Sequence, residues 1–270
     1  MNHKKLILFL LIVLIILGVN MVSATAMNSN NTDTKDTSHI KEKVHIENQE
    51  KINKEITKKN TDKKIKTDTP TKNASNFEEL SNALTSTDYA SIQVNIQKDI
   101  QLENSISVAL NLLDVKINGN NHIIDGRNTC GFLVDKKRDN MEMKDLHLNV
   151  NNMTIQNCGN QAISARLLNI NFSNLQIKDN DALSSSVIMG ELVKGTITNC
   201  TFTRNTGYNS GALYLTSSEV NITDTTFKEN MAWEDGGALK TVSSDINIKN
   251  TKFEKTWPKT GVHSIISLET

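Results

Sequence analysis

From Leu148 onward, apolar and polar residues alternate in short runs that return at nearly constant intervals. Val220 and Ile222 alternate with Asn221 and Thr223, so the two apolar residues share one side of a strand. Asp224 breaks the run, Thr226 and Phe227 open a second strand, and Asn230 closes it. After a variable loop, Gly237-Ala238-Leu239 supplies a third strand. The segment Ile222-Thr-Asp-Thr-Thr-Phe227-Lys-Glu-Asn230 is matched by Ile197-Thr-Asn-Cys-Thr-Phe202-Thr-Arg-Asn205 and by Ile248-Lys-Asn-Thr-Lys-Phe253-Glu-Lys-Thr256. Weaker copies run through Phe172–Asn180 and Val150–Cys158. Equivalent positions are 22, 25, 25 and 26 residues apart. A period in this range marks a solenoid, in which each repeat covers its neighbour.

The alignment predicts three apolar columns: Val150/Phe172/Ile197/Ile222/Ile248, Ile155/Ile177/Phe202/Phe227/Phe253 and Ile163/Ile188/Leu213/Leu239/Ile265. It also predicts two corner columns, Asn152/Asn174/Asn199/Asp224/Asn250 and Cys158/Asn180/Asn205/Asn230/Thr256. Asn tolerates left-handed backbone, bonds neighbouring backbone groups, and can bond a stacked copy of itself. Three apolar strands and two such corners per repeat describe an all-β parallel β-helix. A leucine-rich repeat has a similar period but needs a helix or similar element in each repeat. Intervals such as Thr206-Gly-Tyr-Asn-Ser-Gly211 are loops.

Upstream, Ile92–Ile96, Ile100–Leu102, Ile106–Val108, Val115–Gly126 and Gly131–Val134 read as strands and corners of earlier coils. Asp135–Lys144 is charged and aperiodic, and reads as a loop leaving the stack. About seven coils, each about 4.8 Å high, give a rod of roughly 35 Å. Ser75-Asn-Phe-Glu78 has the form of a capping box, and Phe77, Leu80 and Leu84 lie on one face of a short helix ending near Thr85. That helix is placed to cover the first coil.

Lys4 and Lys5 precede the apolar run Leu6–Val19, and Ser23-Ala-Thr-Ala26 offers a small-residue cleavage site. These features predict a secretory signal over residues 1–26. The run is short for a bilayer span of about 20 residues. Retained uncleaved, it would be the chain's one contact with a membrane. Residues 27–74 hold runs such as Lys58-Lys59-Asn-Thr-Asp-Lys63-Lys64 and no aromatic residue, which predicts a disordered polar spacer. The β-helix domain is assigned to 75–270. With 30 basic and 30 acidic residues the net charge is zero, which argues against nucleic acid as a partner.

Phe202-Thr-Arg-Asn205, Phe227-Lys-Glu-Asn230, Ser210-Gly-Ala-Leu213 and Gly236-Gly-Ala-Leu239 resemble the F-x-x-N and G-G-A-I/L repeats of chlamydial polymorphic membrane proteins. The order of signal, spacer, capping helix and Ile117-Asn-Gly-Asn-Asn-His-Ile-Ile-Asp-Gly126 is similar to adhesin-like proteins of methanogenic archaea. The resemblance covers about residues 75 to 270. It implies a right-handed, pectate-lyase-like β-helix and a non-enzymatic cell-surface role, binding glycans or proteins of other cells. No autotransporter barrel or sorting signal follows, which leaves the attachment route open. The last predicted strand, at Ile265, is followed by Thr270 with no capping element, and either end-to-end self-association or a truncated gene fits that pattern.

Related scaffolds also carry polysaccharide lyases and glycoside hydrolases, which need carboxylates clustered on neighbouring coils. The outward rows Asn149/Asn171/Thr196/Asn221/Asn247, Asn151/Ser173/Thr198/Thr223/Lys249 and Thr154/Gln176/Thr201/Thr226/Lys252 contain none. Asp179, Asp181, Glu229, Glu234 and Asp235 fall at corners or loops, among basic residues. Asp125-Gly126 reads as a turn. His39 and His45 lie in the spacer, and His122, His147 and His263 in unrelated columns, so no catalytic residue, metal site or cofactor is assigned. Cys130, Cys158 and Cys200 match no zinc spacing; buried thiols and a Cys130–Cys158 pair both remain open.

Tyr208, Trp233 and Trp257 follow the ladder Phe of their coils by six, six and four residues, which places all three in one inter-strand loop on successive coils. They are the candidate ligand-binding residues; rings turned inward beside Phe202, Phe227 and Phe253 are the structural alternative. Asn30, Asn73, Asn152, Asn171, Asn199 and Asn221 satisfy N-x-S/T. Corner duty makes Asn152 and Asn199 poor acceptors for a glycan. Three functions are open: an adhesin-like surface protein, a carbohydrate-active enzyme, and a passive envelope component.

Overall fold

The computed structural model of the chain describes residues 65–134, 146–258 and 266–269. The predicted signal over 1–26, most of the spacer over 27–74, the loop Asp135–Lys144, Ile265, Asn30, His39, His45 and His263 lie outside these residues. The described chain is a parallel β-solenoid of about seven turns. Its long sheet runs through Thr71–Ala74, Ser91–Ile96, Asp114–Asn118, Leu146–Gln156, Leu168–Lys178, Lys194–Thr198, Glu219–Thr223 and Asp245–Lys249, each hydrogen-bonded to the next. The second strands of the later coils, Thr201–Thr203, Thr226–Lys228 and Lys252–Glu254, join the same sheet. A narrow sheet links Asp181–Ala182, Thr206–Gly207, Met231–Ala232 and Trp257–Pro258. A third sheet includes Ile163–Arg166, Ser186–Glu191, Ser210–Thr216, Leu239–Val242 and Ile266–Glu269.

The first two apolar columns hold residue for residue, from Val150 to Ile248 and from Ile155 to Phe253. Phe202 stacks on Phe227 with ring centroids 4.7 Å apart, and Phe227 on Phe253 at 5.0 Å, with rings tilted by 8° and 3°. The third column runs Ile163, Ile188, Leu213, Leu239 as expected, but the next member is Ile266. The expected Ile265 is one residue early. The Gly-Ala-Leu motif also has a steric reason. A Cβ on Gly211 would lie 2.2 Å from the Gly237 carbonyl oxygen, and one on Gly237 would lie 2.3 Å from the Trp257 nitrogen.

From Leu146 onward each complete lap turns three times, and each turn has a residue in the left-handed region. At the first corner this is the expected column: Asn152, Asn174, Asn199, Asp224 and Asn250, with φ between 51° and 54°. Its exposed side chains form a ladder, Asn174 Nδ2 donating to Asn152 Oδ1 at 2.9 Å and Asn199 Nδ2 to Asn174 Oδ1 at 2.7 Å. The second corner works differently from the expectation. The left-handed residue is the one before the Asn column: Asn157, Asp179, Arg204, Glu229 and Lys255. Asn180, Asn205 and Asn230 instead point inward and are buried. Asn205 Nδ2 donates to the Ile177 carbonyl at 2.8 Å and to Asn230 Oδ1 at 3.0 Å, while its own Oδ1 accepts from Asn180 Nδ2 at 2.9 Å. A third corner, at Leu167, Leu192, Ser217 and Ser243, has φ between 47° and 56°. There Ser218 Oγ accepts the Val193 N–H at 3.1 Å, and Ser244 Oγ accepts that of Ser218 at 3.0 Å.

The solenoid begins upstream of the boundary placed at 75. Thr71–Ala74 is already a strand, paired with Gln93–Ile96, and Lys66 bridges to Tyr89. Alternation fails to show there because only Ala74 of the strand is buried. Helix α1, Phe77–Leu84, follows and buries Leu80, Ala83 and Leu84. Its cap sits one residue later than Ser75/Glu78. Asn76 is extended and accepts the Glu79 N–H at 2.9 Å, and the Glu79 carboxylate accepts the Ser75 N–H at 2.7 Å. This is the reciprocal logic of a capping box, moved by one position.

Cys130, Cys158 and Cys200 are free, buried thiols. Burial pushes Cys158 up to about 12, with Asp125 and Cys130 adding to the effect, and Cys200 up to about 11. Unfolding lets these thiols ionise near their ordinary value of 9.0. Unfolded chain therefore loses protons that the fold retains, and stability falls as pH rises from about 9 toward 11. Urea midpoints measured across that range should decline, and a Cys158→Ala/Cys200→Ala variant should decline less. At about pH 8 an aromatic disulfide reagent should leave both thiols unmodified until denaturant is added.

Asn205→Ala should lower stability by about 3 kcal/mol or more, since it strands the Ile177 carbonyl and the Asn180 and Asn230 side chains inside the core. Asn199→Gly keeps a residue suited to φ 52° and loses only exposed hydrogen bonds, so its cost should stay within about 1 kcal/mol. Urea midpoints of the two variants check the contrast; equal costs would refute the distinction between the inner and outer ladders.

Candidate functional site

The chain leaves its tight turns between the second corner and the third sheet. Asp181–Ala182, Thr206–Gly207 and Met231–Ala232 are in register, so Leu183, Tyr208 and Trp233, each one residue further on, follow equivalent positions on three successive coils. Their side chains face solvent: Leu183 is 66% exposed, Tyr208 43% and Trp233 38%. The inward placement beside the Phe stack is therefore not adopted. The backbone beneath the rings is fixed, with Trp233 N–H donating to the Gly207 carbonyl at 2.9 Å and Glu234 N–H to that of Tyr208 at 2.9 Å.

Trp257 departs from the predicted column. It pairs with Met231, two positions earlier in the coil than Trp233, and its N–H donates to the Asn230 carbonyl at 3.2 Å. Its offset of four from Phe253 equals that of Met231 from Phe227, so the register follows the tight corner and not the loop. Trp257 is 51% exposed beside the row. Leu183 joins the row without an aromatic ring to signal it, although it lies six residues after Ile177, the offset shared by Tyr208 and Trp233.

Polar groups surround the row. Tyr208 Oη donates to Glu234 Oε1 at 2.5 Å. That hydrogen bond, and then the Glu234 charge, hold the phenol above its ordinary pKa. Lys240, though on an outward position of the third sheet, is buried; its ammonium bonds Asp235 and lies 5.6 Å from the centre of the Tyr214 ring. Asp181 is exposed at the start of the narrow sheet. Together these give an apolar strip with carboxylate acceptors along its rim.

The outward rows of the long sheet hold amides and hydroxyls as expected, and a shallow groove of about 320 Å³ lies between Gln93, Lys116, Asn149 and Asn171. Of the corner acids, Asp179 is tied down: Arg204 forks onto it at 2.7 and 2.8 Å. Burial alone would raise Asp125, but hydrogen bonds from Gln156, the Arg127 N–H and Asn157 outweigh it and hold the carboxyl below its ordinary range. These bonds tie Asp125 into the turn at Asp125-Gly126. Among the described residues no group of three or more His, Cys, Asp or Glu is placed to hold a metal ion. Asn152 and Asn199 are engaged in the outer ladder, whereas Asn171 and Asn221 stand exposed.

Because the folded Tyr208 pKa is raised, its ionisation is delayed to higher pH than in unfolded chain. Absorbance titration of Tyr208→Phe should lose that late-ionising phenol, and Glu234→Gln should bring its ionisation to lower pH; an unchanged titration in Glu234→Gln would dissolve the pair. No protein-family model, curated protein or solved structure matches this chain.

Proposed function

We propose that this chain is an exported, adhesin-like surface protein whose solenoid is a rigid support for binding glycans or proteins of other cells. The observation that carries the reading is the solvent-facing row Leu183/Tyr208/Trp233 with Trp257 beside it, held at fixed spacing on a hydrogen-bonded scaffold. Large apolar side chains are costly to leave in water in a line, and such patches mark interaction sites on otherwise polar surfaces. Binding residues placed on loops above a rigid frame meet a ligand with little ordering cost. The resemblance of the Phe-x-x-Asn and Gly-Ala-Leu repeats, together with the apolar run near the N-terminus, supports export and display at a cell surface.

Cell- and glycan-binding screens of the purified protein, run beside a polysaccharide-degradation assay, test this. Binding without turnover, reduced by Tyr208→Ala/Trp233→Ala in a variant with an unchanged urea midpoint, is the expected result. Turnover of a polysaccharide would move the chain to the enzyme class, and absence of both activities would leave a passive envelope component.

A further inference from the structure

Resting on the export proposed above, we infer that the outward face of the long sheet carries N-linked glycans, attached at Asn73, Asn171 and Asn221. Five N-x-S/T segments fall among the described residues: Asn73-Ala-Ser75, Asn152-Met-Thr154, Asn171-Phe-Ser173, Asn199-Cys-Thr201 and Asn221-Ile-Thr223. Such a segment is the acceptor for glycosylation of exported chains. The fold divides the five by what each amide nitrogen is doing.

An N-glycosidic bond takes one of the two Nδ2 hydrogens and leaves the side-chain oxygen as it was. At Asn152 and Asn199 the nitrogen is a rung of the outer ladder. Asn152 Nδ2 donates to Asn118 Oδ1 at 3.3 Å and to Asn151 Oδ1 at 2.9 Å, and Asn199 Nδ2 donates to Asn174 Oδ1 at 2.7 Å. A sugar on either would displace or crowd a rung. At Asn73 and Asn171 the side chain bonds only through Oδ1, which accepts Gln97 Nε2 at 3.4 Å and Thr196 Oγ1 at 2.9 Å respectively. The Asn221 side chain has no hydrogen bond. All three nitrogens are free, and all three residues are exposed.

Strand alternation turns the same three sites outward. The middle residue of each segment, Ala74, Phe172 or Ile222, is fully buried. At Asn171 and Asn221 the hydroxyl residue two positions on, Ser173 or Thr223, shares the outward face. Asn171, Thr196 and Asn221 are in register, which sets two glycans two coils, about 10 Å, apart in one row. Asn73 stands on the first strand of the same sheet. Glycans at these places clothe the amide and hydroxyl rows and leave bare the loop edge beyond the second corner, where the ring row lies.

In the transfer, Nδ2 attacks C1 of a sugar carried on a polyprenyl phosphate or diphosphate, the co-reactant that the exporting cell's transferase supplies. The N–C1 bond forms, the C1–O bond to phosphate breaks, the lipid phosphate leaves, and one Nδ2 proton passes to the medium. Site-localised peptide mass spectrometry of the full chain, recovered from the cells that make it, tests the assignment. Peptides containing Asn73, Asn171 and Asn221 should carry one shared series of sugar increments, and those containing Asn152 and Asn199 none. Thr223→Ala should abolish the increment at Asn221 alone with the urea midpoint unchanged, since it removes an outward hydroxyl and leaves Asn221 in place. Bare Asn171 and Asn221 in chain recovered outside the cell would overturn the glycan face and leave the adhesin reading standing. Sugar on Asn152 or Asn199, or an increment at Asn221 that survives Thr223→Ala, would overturn it equally. Chain found only inside the cell would remove the export on which both readings rest.

Discussion

A chain that closes a lap every 22 to 26 residues carries backbone N–H and C=O groups into an apolar interior at every corner, and those groups must find partners there. The inner ladder of Asn180, Asn205 and Asn230 answers that requirement. Each carboxamide spans one coil to the next, taking a backbone N–H of the coil before and donating to a carbonyl further back. An amide is suited because it donates and accepts at once, so one side chain serves both directions along the axis. Ser218 and Ser244 do a similar job at the third corner, and Thr225 at the first, where its hydroxyl accepts the Cys200 N–H and donates to the Thr223 carbonyl. Hydroxyls suffice there since each bridges only to its own strand end and the coil before it.

Once the corners are fixed, length can vary only where the chain is not in a tight turn. The interval from Met231 to Leu239 is one residue longer than that from Thr206 to Leu213, yet Leu239 and Leu213 are in register. Insertions are absorbed in the loop after the narrow sheet, and the exposed rings sit at the start of that loop. The same constraint thus separates an invariant frame from a tolerant edge, the usual arrangement for recognition surfaces.

Much of this was legible in the sequence, and the failures lie where pairing between coils outweighs the local pattern. Strand alternation and the recurring Phe fixed the first two columns, because a two-residue corner joins those strands and leaves no slack. Counting from Phe holds as far as the narrow sheet, where Trp257 aligns with Met231 at the same offset of four, and fails by the third sheet, where Ile266 takes the place expected of Ile265. Corner chemistry was legible only where it used Asn in the left-handed region itself. Arg204, Glu229, Leu167 and Leu192 adopt that conformation without the residue types that announce it, since tertiary pairing outweighs a local penalty of about 1–2 kcal/mol per residue. In the polar rim of the site the Tyr208–Glu234 bond crosses between coils, which no single-coil pattern encodes, while the Asp235–Lys240 pair closes within one loop.

The outward row and the inner stack are two readings of one repeat. Inside, Phe202, Phe227 and Phe253 are locked by each other's faces, and a change in one is felt by its neighbours. Outside, Leu183, Tyr208 and Trp233 follow positions that are in register and are held from below through backbone bonds. A substitution in the row therefore alters what the edge presents without disturbing what holds the coil. Leucine, tyrosine and tryptophan already occupy equivalent places on successive coils, so this frame accepts three different side-chain shapes there. Recognition and folding draw on different atoms of the same lap, which allows the surface to change its ligand while the ladder beneath it stays as it is.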